Sequence, residues 1–93
     1  MRTIERTGSF KRDYKRILSN PRHRDAERLF VELLNLLLGD AVLDPRYRDH
    51  ALAGEWKDHR DCHVKPDLVL IYRKPNDSVL QLVRIGSHSE LGL

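Results

Sequence analysis

Apolar residues change their spacing twice along this chain, and each change marks an element. Arg2–Arg6 reads as a short strand ended by Thr7-Gly8. Ser9 then offers a hydroxyl that can accept from a free backbone N–H of a first helical turn. Phe10, Tyr14, Ile17 and Leu18 follow at i, i+4, i+7 and i+8, one stripe of a helix, with Lys11, Arg12, Lys15 and Arg16 largely off it. Asn20-Pro21 breaks that helix and supplies an N-cap and first-turn pair for the next. The second helix carries Ala26, Leu29, Phe30, Leu33, Leu34, Leu36 and Leu37, with Gly39 as its stop. A loop from Gly39 to Ala51 turns at Asp44-Pro45.

Beyond it the period becomes two. Trp56, Cys62 and Val64 alternate with Lys57, Asp61 and His63. An extended Trp56–Val64 puts Asp61 and His63 on one face and Trp56 with Cys62 on the other. Lys65-Pro66-Asp67 makes a turn, Leu68–Arg73 an apolar strand, Pro75-Asn76-Asp77-Ser78 a hairpin turn and Val79–Ile85 a last strand. The tail Gly86–Leu93 has room for one helical turn. The predicted order is βααβββ: an α+β domain over residues 1–93, with a four-stranded, mainly antiparallel sheet and a helical hairpin on one face.

Composition narrows the class. At 40% hydrophobic and 33% charged, the 93 residues suit a folded chain with one modest core. No apolar run approaches the ~20 residues of a membrane span, and the start is too polar for a secretory signal, so a cytoplasmic protein with no membrane partner is expected. A single cysteine, Cys62, excludes an internal disulfide framework and a thiolate zinc cluster. His63 and Asp67 could ligate a metal, yet no H-x-x-x-H pair supports one, so no metal or other cofactor is expected. Residues 1–30 carry nine Lys/Arg against four Asp/Glu, while the rest carry eight against ten. A basic first third fits a polyanionic partner, or simply a solvated helix face.

Chemistry-bearing side chains concentrate between His50 and Asp67. His50, Lys57, Asp58, His59, Arg60, Asp61, His63 and Asp67 fall there, and His88 follows the last strand. Shared orientation lets Asp61 orient His63 and favour its protonated form. An antiparallel meander brings His50 and His88 to the same rim. Imidazoles, with an ordinary pKa of about 6.5, take and give protons near neutral pH. Several of them beside Lys and Arg suit metal-free cleavage of RNA. One takes the 2′-hydroxyl proton, another protonates the departing 5′-oxygen, and Arg60 or Arg84 stabilises the phosphorane. His23 and His59 read as ordinary surface residues, and Trp56 as core.

The pattern D-H-x-L-x-G-x-W-K-x-x-R-D-x-H-V-x-P-D, spelled by Asp49-His50 through Pro66-Asp67, joins Leu70-Ile71-Tyr72 and Arg84-Ile85-Gly86-Ser87-His88. Together they closely resemble the YafQ branch of the RelE-like toxins of bacterial type II toxin–antitoxin modules. The resemblance implies a RelE-like fold and a ribosome-dependent mRNA endonuclease that cuts the codon in the ribosomal A site without metal. It carries His50, Asp61, His63, Asp67 and His88 over as site residues; the roles expected of them are His50, assisted by Asp67, as base, His88 as acid, and His63, held by Asp61, neutralising the phosphate, although the sequence does not fix which histidine gives the proton. It also implies an acidic, DinJ-like antitoxin, the 70S ribosome and mRNA as partners, with operator DNA reached only through the antitoxin. Lys11, Arg12, Lys15 and Arg16, with Arg22, Arg24 and Arg28, then face ribosomal RNA phosphates, and Lys57 the message. One departure stands out: the family's aromatic four residues after the last histidine is Gly92 here, with Leu91 or Leu93 as partial substitutes. Rival readings are a noncatalytic, ParE-like gyrase inhibitor and a degenerate toxin that still binds its antitoxin.

Overall fold

The computed structural model describes residues 2–93. Strand β1 (Thr3–Arg6) leads into helices α1 (Gly8–Leu18) and α2 (Ala26–Leu38). Strands β2 (His50–Ala51), β3 (Arg60–Lys65), β4 (Leu68–Asn76) and β5 (Val79–Gly86) follow, then one helical turn, α3 (His88–Leu91). The α+β class and the one-turn tail agree with the sequence reading. The sheet has five strands rather than four, in the order β1-β5-β4-β3-β2. The extra strand is the two-residue β2, whose His50 and Ala51 pair antiparallel with Asp61 and Arg60. β1 runs parallel to β5, and the remaining pairings are antiparallel.

Local chemistry explains where the elements begin. Thr7, not Ser9, caps α1: its hydroxyl oxygen accepts from the Phe10 N–H at 3.0 Å and its O–H donates to the Val83 carbonyl at 2.7 Å. One residue thus closes the helix and ties it to β5. Asn20-Pro21 does not head α2. Asn20 accepts from the Arg22 N–H at 3.0 Å and opens a separate 3-10 turn, Pro21–His23. Asp25 precedes α2 without capping it through its side chain, because its carboxylate accepts from Lys65 Nζ at 2.9 Å. At the β4–β5 hairpin, Pro75 and Asn76 remain in strand, so the turn shrinks to Asp77-Ser78.

The sheet divides the interior in two. On the helix face, Phe10, Ile17, Phe30, Leu33 and Leu37 pack against Cys62, Leu70, Tyr72, Leu80 and Leu82. Burying a side chain of this kind is worth about 1.5–3 kcal/mol. Phe10, Tyr14 and Phe30 fasten the two helices together, with ring centroids 5.1–5.8 Å apart. Opposite lies a much smaller cluster of Val69, Ile71 and Leu91, flanked by Leu52, Trp56 and Val83. Trp56 therefore sits opposite Cys62's core, as a correction to the alternation argument. It belongs to a 3-10 turn, Gly54–Trp56, and a left-handed Asp58 (φ 68°) intervenes before β3 begins. Parity cannot be counted across such a break.

β5 continues past the end of β1, and α1 covers the exposed edge. Buried Asp13 accepts from the Ile85 N–H at 3.2 Å and from Arg84 Nε at 2.6 Å. Among the described residues no helix is long and apolar enough to cross a membrane.

Candidate active site

β2 is short, yet its register does the main work of assembling the site: it sets His50 opposite Asp61. Nδ1 of His50 lies 3.0 Å from the Arg48 carbonyl and 2.9 Å from Asp61 Oδ1. The ring N–H donates to the carbonyl, while Asp61 Oδ1, buried, has no hydrogen bond and meets the imidazole only as a charge. Arg48 adopts a left-handed backbone (φ 49°, ψ 41°), so the chain turns sharply just before the histidine that its carbonyl holds. With Nδ1 carrying its proton, Nε2 keeps a free lone pair, and the ring is 58% exposed.

Asp61 and His63 share the face that also carries Val69 and Ile71, as strand alternation requires. α3 brings in the third imidazole. Its capping box is complete: Ser87 Oγ accepts from the Glu90 N–H at 3.2 Å and Glu90 Oε1 accepts from the Ser87 N–H at 2.8 Å. Gly86 lets this box close, since a Cβ there would come within 3.1 Å of Glu90 Oε1. Leu91 anchors the turn in the smaller core. His88 thereby meets His63 with ring centroids 5.0 Å apart.

Electrostatics follow from this packing. Asp61 is 2% exposed, and burial raises its carboxyl above the usual carboxylate range against the pull of His50, His63 and His88. His63 is 8% exposed, and burial, reinforced by the charge of His88, holds its pKa below the ordinary histidine value against Asp61. This corrects the expectation that Asp61 keeps His63 protonated: desolvation of the ring outweighs the carboxylate.

Asp67 occupies the β3–β4 turn, where its carboxylate pairs with Arg22 Nε at 3.3 Å and borders a 270 Å³ cavity shared with Ser87 and Glu90. It stands by α3; the carboxylate that meets His50 is Asp61. Arg60 alternates onto the helix face and binds Asp49 through Nη2 at 2.9 Å, and the Tyr72 hydroxyl donates to the same carboxylate. Arg84 is held by Asp13. Both proposed clamps are therefore charge-compensated. Lys57 is exposed in the loop before β3, where its carbonyl receives His59 Nδ1 at 3.0 Å. His59 packs edge-on to Trp56, apart from the imidazole group.

On α1, Lys11, Arg12 and Lys15 point outward, while Arg16 pairs with Asp13 at 3.4 Å and Glu90 at 3.3 Å. Arg48 is a cation the sequence pattern did not single out. Exposed and in no ion pair among the described residues, it lies close enough to oppose protonation of His63. Only its place two residues before His50 hinted at a role. Gly92 ends α3 in the left-handed region (φ 72°), its N–H directed at the His88 and Ser89 carbonyls. Leu91 is buried and cannot stand in for a surface aromatic; Leu93, at 40% exposure, remains outside. No group of three His, Cys, Asp or Glu among the described residues is arranged to hold a metal ion.

A five-stranded sheet with helices on one face and three imidazoles around a buried carboxylate on the other defines a small toxin fold of the RelE-like class. A family model described as "Bacterial toxin of type II toxin-antitoxin system, YafQ" matches residues 2–92, and the chain belongs to that family. It is 42% identical over 91 residues to the mRNA interferase toxin YafQ of Escherichia coli K12, covering 97% of this chain and 95% of the relative. It superposes on the toxin in the E. coli DinJ-YafQ complex with a TM-score of 0.81 and 39% identity, covering 98% of each chain. A metal-bound toxin from Helicobacter pylori matches with a TM-score of 0.86 and 42% identity over 98% of this chain and 99% of that one.

Proposed function

We propose that this chain is an mRNA endonuclease toxin that cuts the message within the ribosomal A site by general acid–base catalysis. The observation that carries this reading is the gathering of His50, His63 and His88 around the buried carboxylate of Asp61. The E. coli relative, an mRNA interferase by name, supports the substrate class.

His50 suits the base. Its Nδ1–H is committed to the Arg48 carbonyl, so Nε2 can take the 2′-hydroxyl proton. Asp61 beside the ring then stabilises the imidazolium that forms. His88 suits the acid. Burial disfavours a proton on His63, whereas the His88 ring, 5.0 Å away, is exposed and is the one assigned to carry the leaving group's proton. From there it passes to the departing 5′-oxygen. Neutral His63 positions the phosphate by hydrogen bonding rather than by charge, and Arg48 supplies the uncompensated cation near it. Asp67, paired with Arg22, faces Ser87 and Glu90 of the α3 turn across a shared cavity and is not given a proton-transfer role. Each proton-transferring group contributes roughly 100- to 10,000-fold.

Lys11, Arg12 and Lys15 form the surface for ribosomal RNA, an attraction that weakens as salt rises. A DinJ-like antitoxin is the resting partner by analogy with the E. coli complex. Operator DNA is reached through it, and the substrate places the activity in the cytoplasm. The rival reading, a folded but inactive toxin, rests on Gly92, which leaves no ring to stack on the message.

The test is cleavage of a ribosome-programmed message by the wild type and by a His50→Ala/His88→Ala variant, with the new ends identified chemically. Codon-phased cuts ending in 2′,3′-cyclic phosphate, lost in the variant, are expected. Ends bearing a 3′-hydroxyl would rule out this chemistry, and growth arrest without cutting would favour gyrase inhibition.

A further inference from the structure

β2 is a strand of two residues at the edge of the sheet, and His50 is one of them. So short a ladder does not fix its own register, and a slip of one residue would turn the His50 ring to the helix face, away from Asp61. Just past the strand, the Leu52 N–H donates to the His59 carbonyl at 2.9 Å. Upstream, Tyr47 is buried, but the left-handed Arg48 (φ 49°) intervenes between that anchor and the strand. The chain therefore needs a fastening at the point where β2 begins.

Asp49 supplies it. Ala51, Arg60 and Tyr72 stand level across β2, β3 and β4. Arg60 Nη2 and Nε donate to Asp49 Oδ2 at 2.9 and 3.2 Å, and the Tyr72 hydroxyl donates to Oδ1. Groups on two different strands thus hold both oxygens of the carboxylate that immediately precedes His50. Tyr72 is 3% exposed, and burial, reinforced by the Asp49 carboxylate, pushes its phenol up, so the hydroxyl stays a donor at neutral pH. All three residues belong to the motif that the sequence displays, yet the proton transfers assigned above use none of them.

We propose that Asp49, Arg60 and Tyr72 are positioning residues, whose network pins β2 in register on β3 and so fixes where His50 stands against Asp61. The catalytic consequence rests on the nuclease reading above, in which His50 is the base; the pinning does not. Charge-assisted bonds from a guanidinium are strong and directional, which suits them to hold a strand too short to hold itself. Two other roles make different predictions. An Arg60 that leaves Asp49 to grip the message would act independently of it, and a network that only adds stability would loosen the whole sheet rather than β2.

The experiment compares Asp49→Asn, Arg60→Gln, the double variant and Tyr72→Phe with the wild type in kcat and KM for cleavage of a ribosome-programmed message. Asp49→Asn keeps the shape but removes the charge that holds the guanidinium. Asp49→Asn and Arg60→Gln should each lower kcat by about 100-fold, the loss that a displacement of about 1 Å produces, and leave KM unchanged. Tyr72→Phe keeps the Arg60 contacts and should lower kcat by about tenfold, as loss of one hydrogen bond does. The double variant should lose no more than either single one, since both act through one network. Multiplied losses, or a rise in KM confined to Arg60→Gln, mean that Arg60 holds the message by itself and overturn the proposal. Amide exchange reads the pinning without cleavage: in Asp49→Asn the Leu52 amide should exchange about tenfold faster, while those of Leu70 and Leu82 in the central strands keep their rates. An unchanged Leu52, or equal acceleration at all three, overturns the proposal whether or not the chain cuts. If the wild type cuts nothing and Leu52 alone responds, the pinning stands and the nuclease reading fails.

Discussion

The two faces of the sheet solve different problems with neighbouring residues of the same strands. On β3, Cys62 and Val64 enter the large core beneath α1 and α2, while Asp61 and His63, one position along, enter the imidazole group. The helix face buries apolar volume from both long helices, three strands and Tyr47. Among the described residues the opposite face has only Val69, Ile71 and Leu91 as its buried apolar floor, and on that floor it buries a carboxylate and an imidazole without a mutual hydrogen bond. Burial of that kind costs stability, and the chain tolerates it because the other face supplies the surplus. Side chains on the two faces should therefore fail in different assays.

The sharpest separation is expected from His50→Ala combined with His88→Ala. Both rings are exposed and support no core, so the unfolding midpoint should stay near that of the wild type. Cleavage should drop by at least about 1,000-fold, within the range for two proton-transfer groups acting together. Loss of stability on the scale of a core mutation would mean that the site face is structural after all.

Leu33→Ala tests the other side. Leu33 is fully buried between α2 and the sheet, and its truncation should cost about 2–5 kcal/mol in denaturant unfolding. That is a large part of the roughly 5–14 kcal/mol available to a domain of this length. Cleavage per folded molecule should change little, because no residue of the imidazole group touches that core. A fall in activity among molecules shown to be folded would join the two faces that the comparison separates.

Leu91→Ala lies on the boundary and sharpens it. The side chain belongs to the small cluster, yet it also anchors the turn that presents His88. A stability cost of about 2 kcal/mol is expected, the low end for leucine truncation. Displacing His88 by about 1 Å should cost about 100-fold in cleavage, measured at saturating ribosomes. A loss in stability alone would show that the capping box suffices to place the ring.

These distinctions were only half visible in the order of amino acids. The stripe Phe10, Tyr14, Ile17 and the run Leu68–Arg73 announce their elements because each repeats a period over several residues. β2 has no period to repeat: two residues become a strand only because β3 offers them an edge. The Asp61–His50 contact depends on that register, so the motif yields both residues but pairs the aspartate with His63 instead. Arg60 and Arg84 read as free cations until folding brings Asp49 and Asp13 to them from 11 and 71 residues away. Trp56 went to the wrong face because a left-handed Asp58 is not announced by a residue type that demands it.

The smallest expected effect concerns how the two buried polar groups divide the pH axis. Asp61 has its folded pKa raised by burial, so its contribution is intact below about pH 4, where folded and unfolded chains are both protonated, and is lost as pH rises through the folded value. Asp61→Asn should therefore melt at about the wild-type temperature at pH 4 and above it near pH 7. His63 has its folded pKa lowered, so its contribution is present above about pH 6.5 and is lost as the pH falls through the folded value. His63→Gln should flatten the acid side of the profile below about pH 6.5. Melting temperatures of the three proteins from pH 4 to 8 check both signs at once. Parallel curves would mean that neither group is desolvated in the folded chain, and the contrast between a face that stabilises and a face that reacts would lose its electrostatic basis.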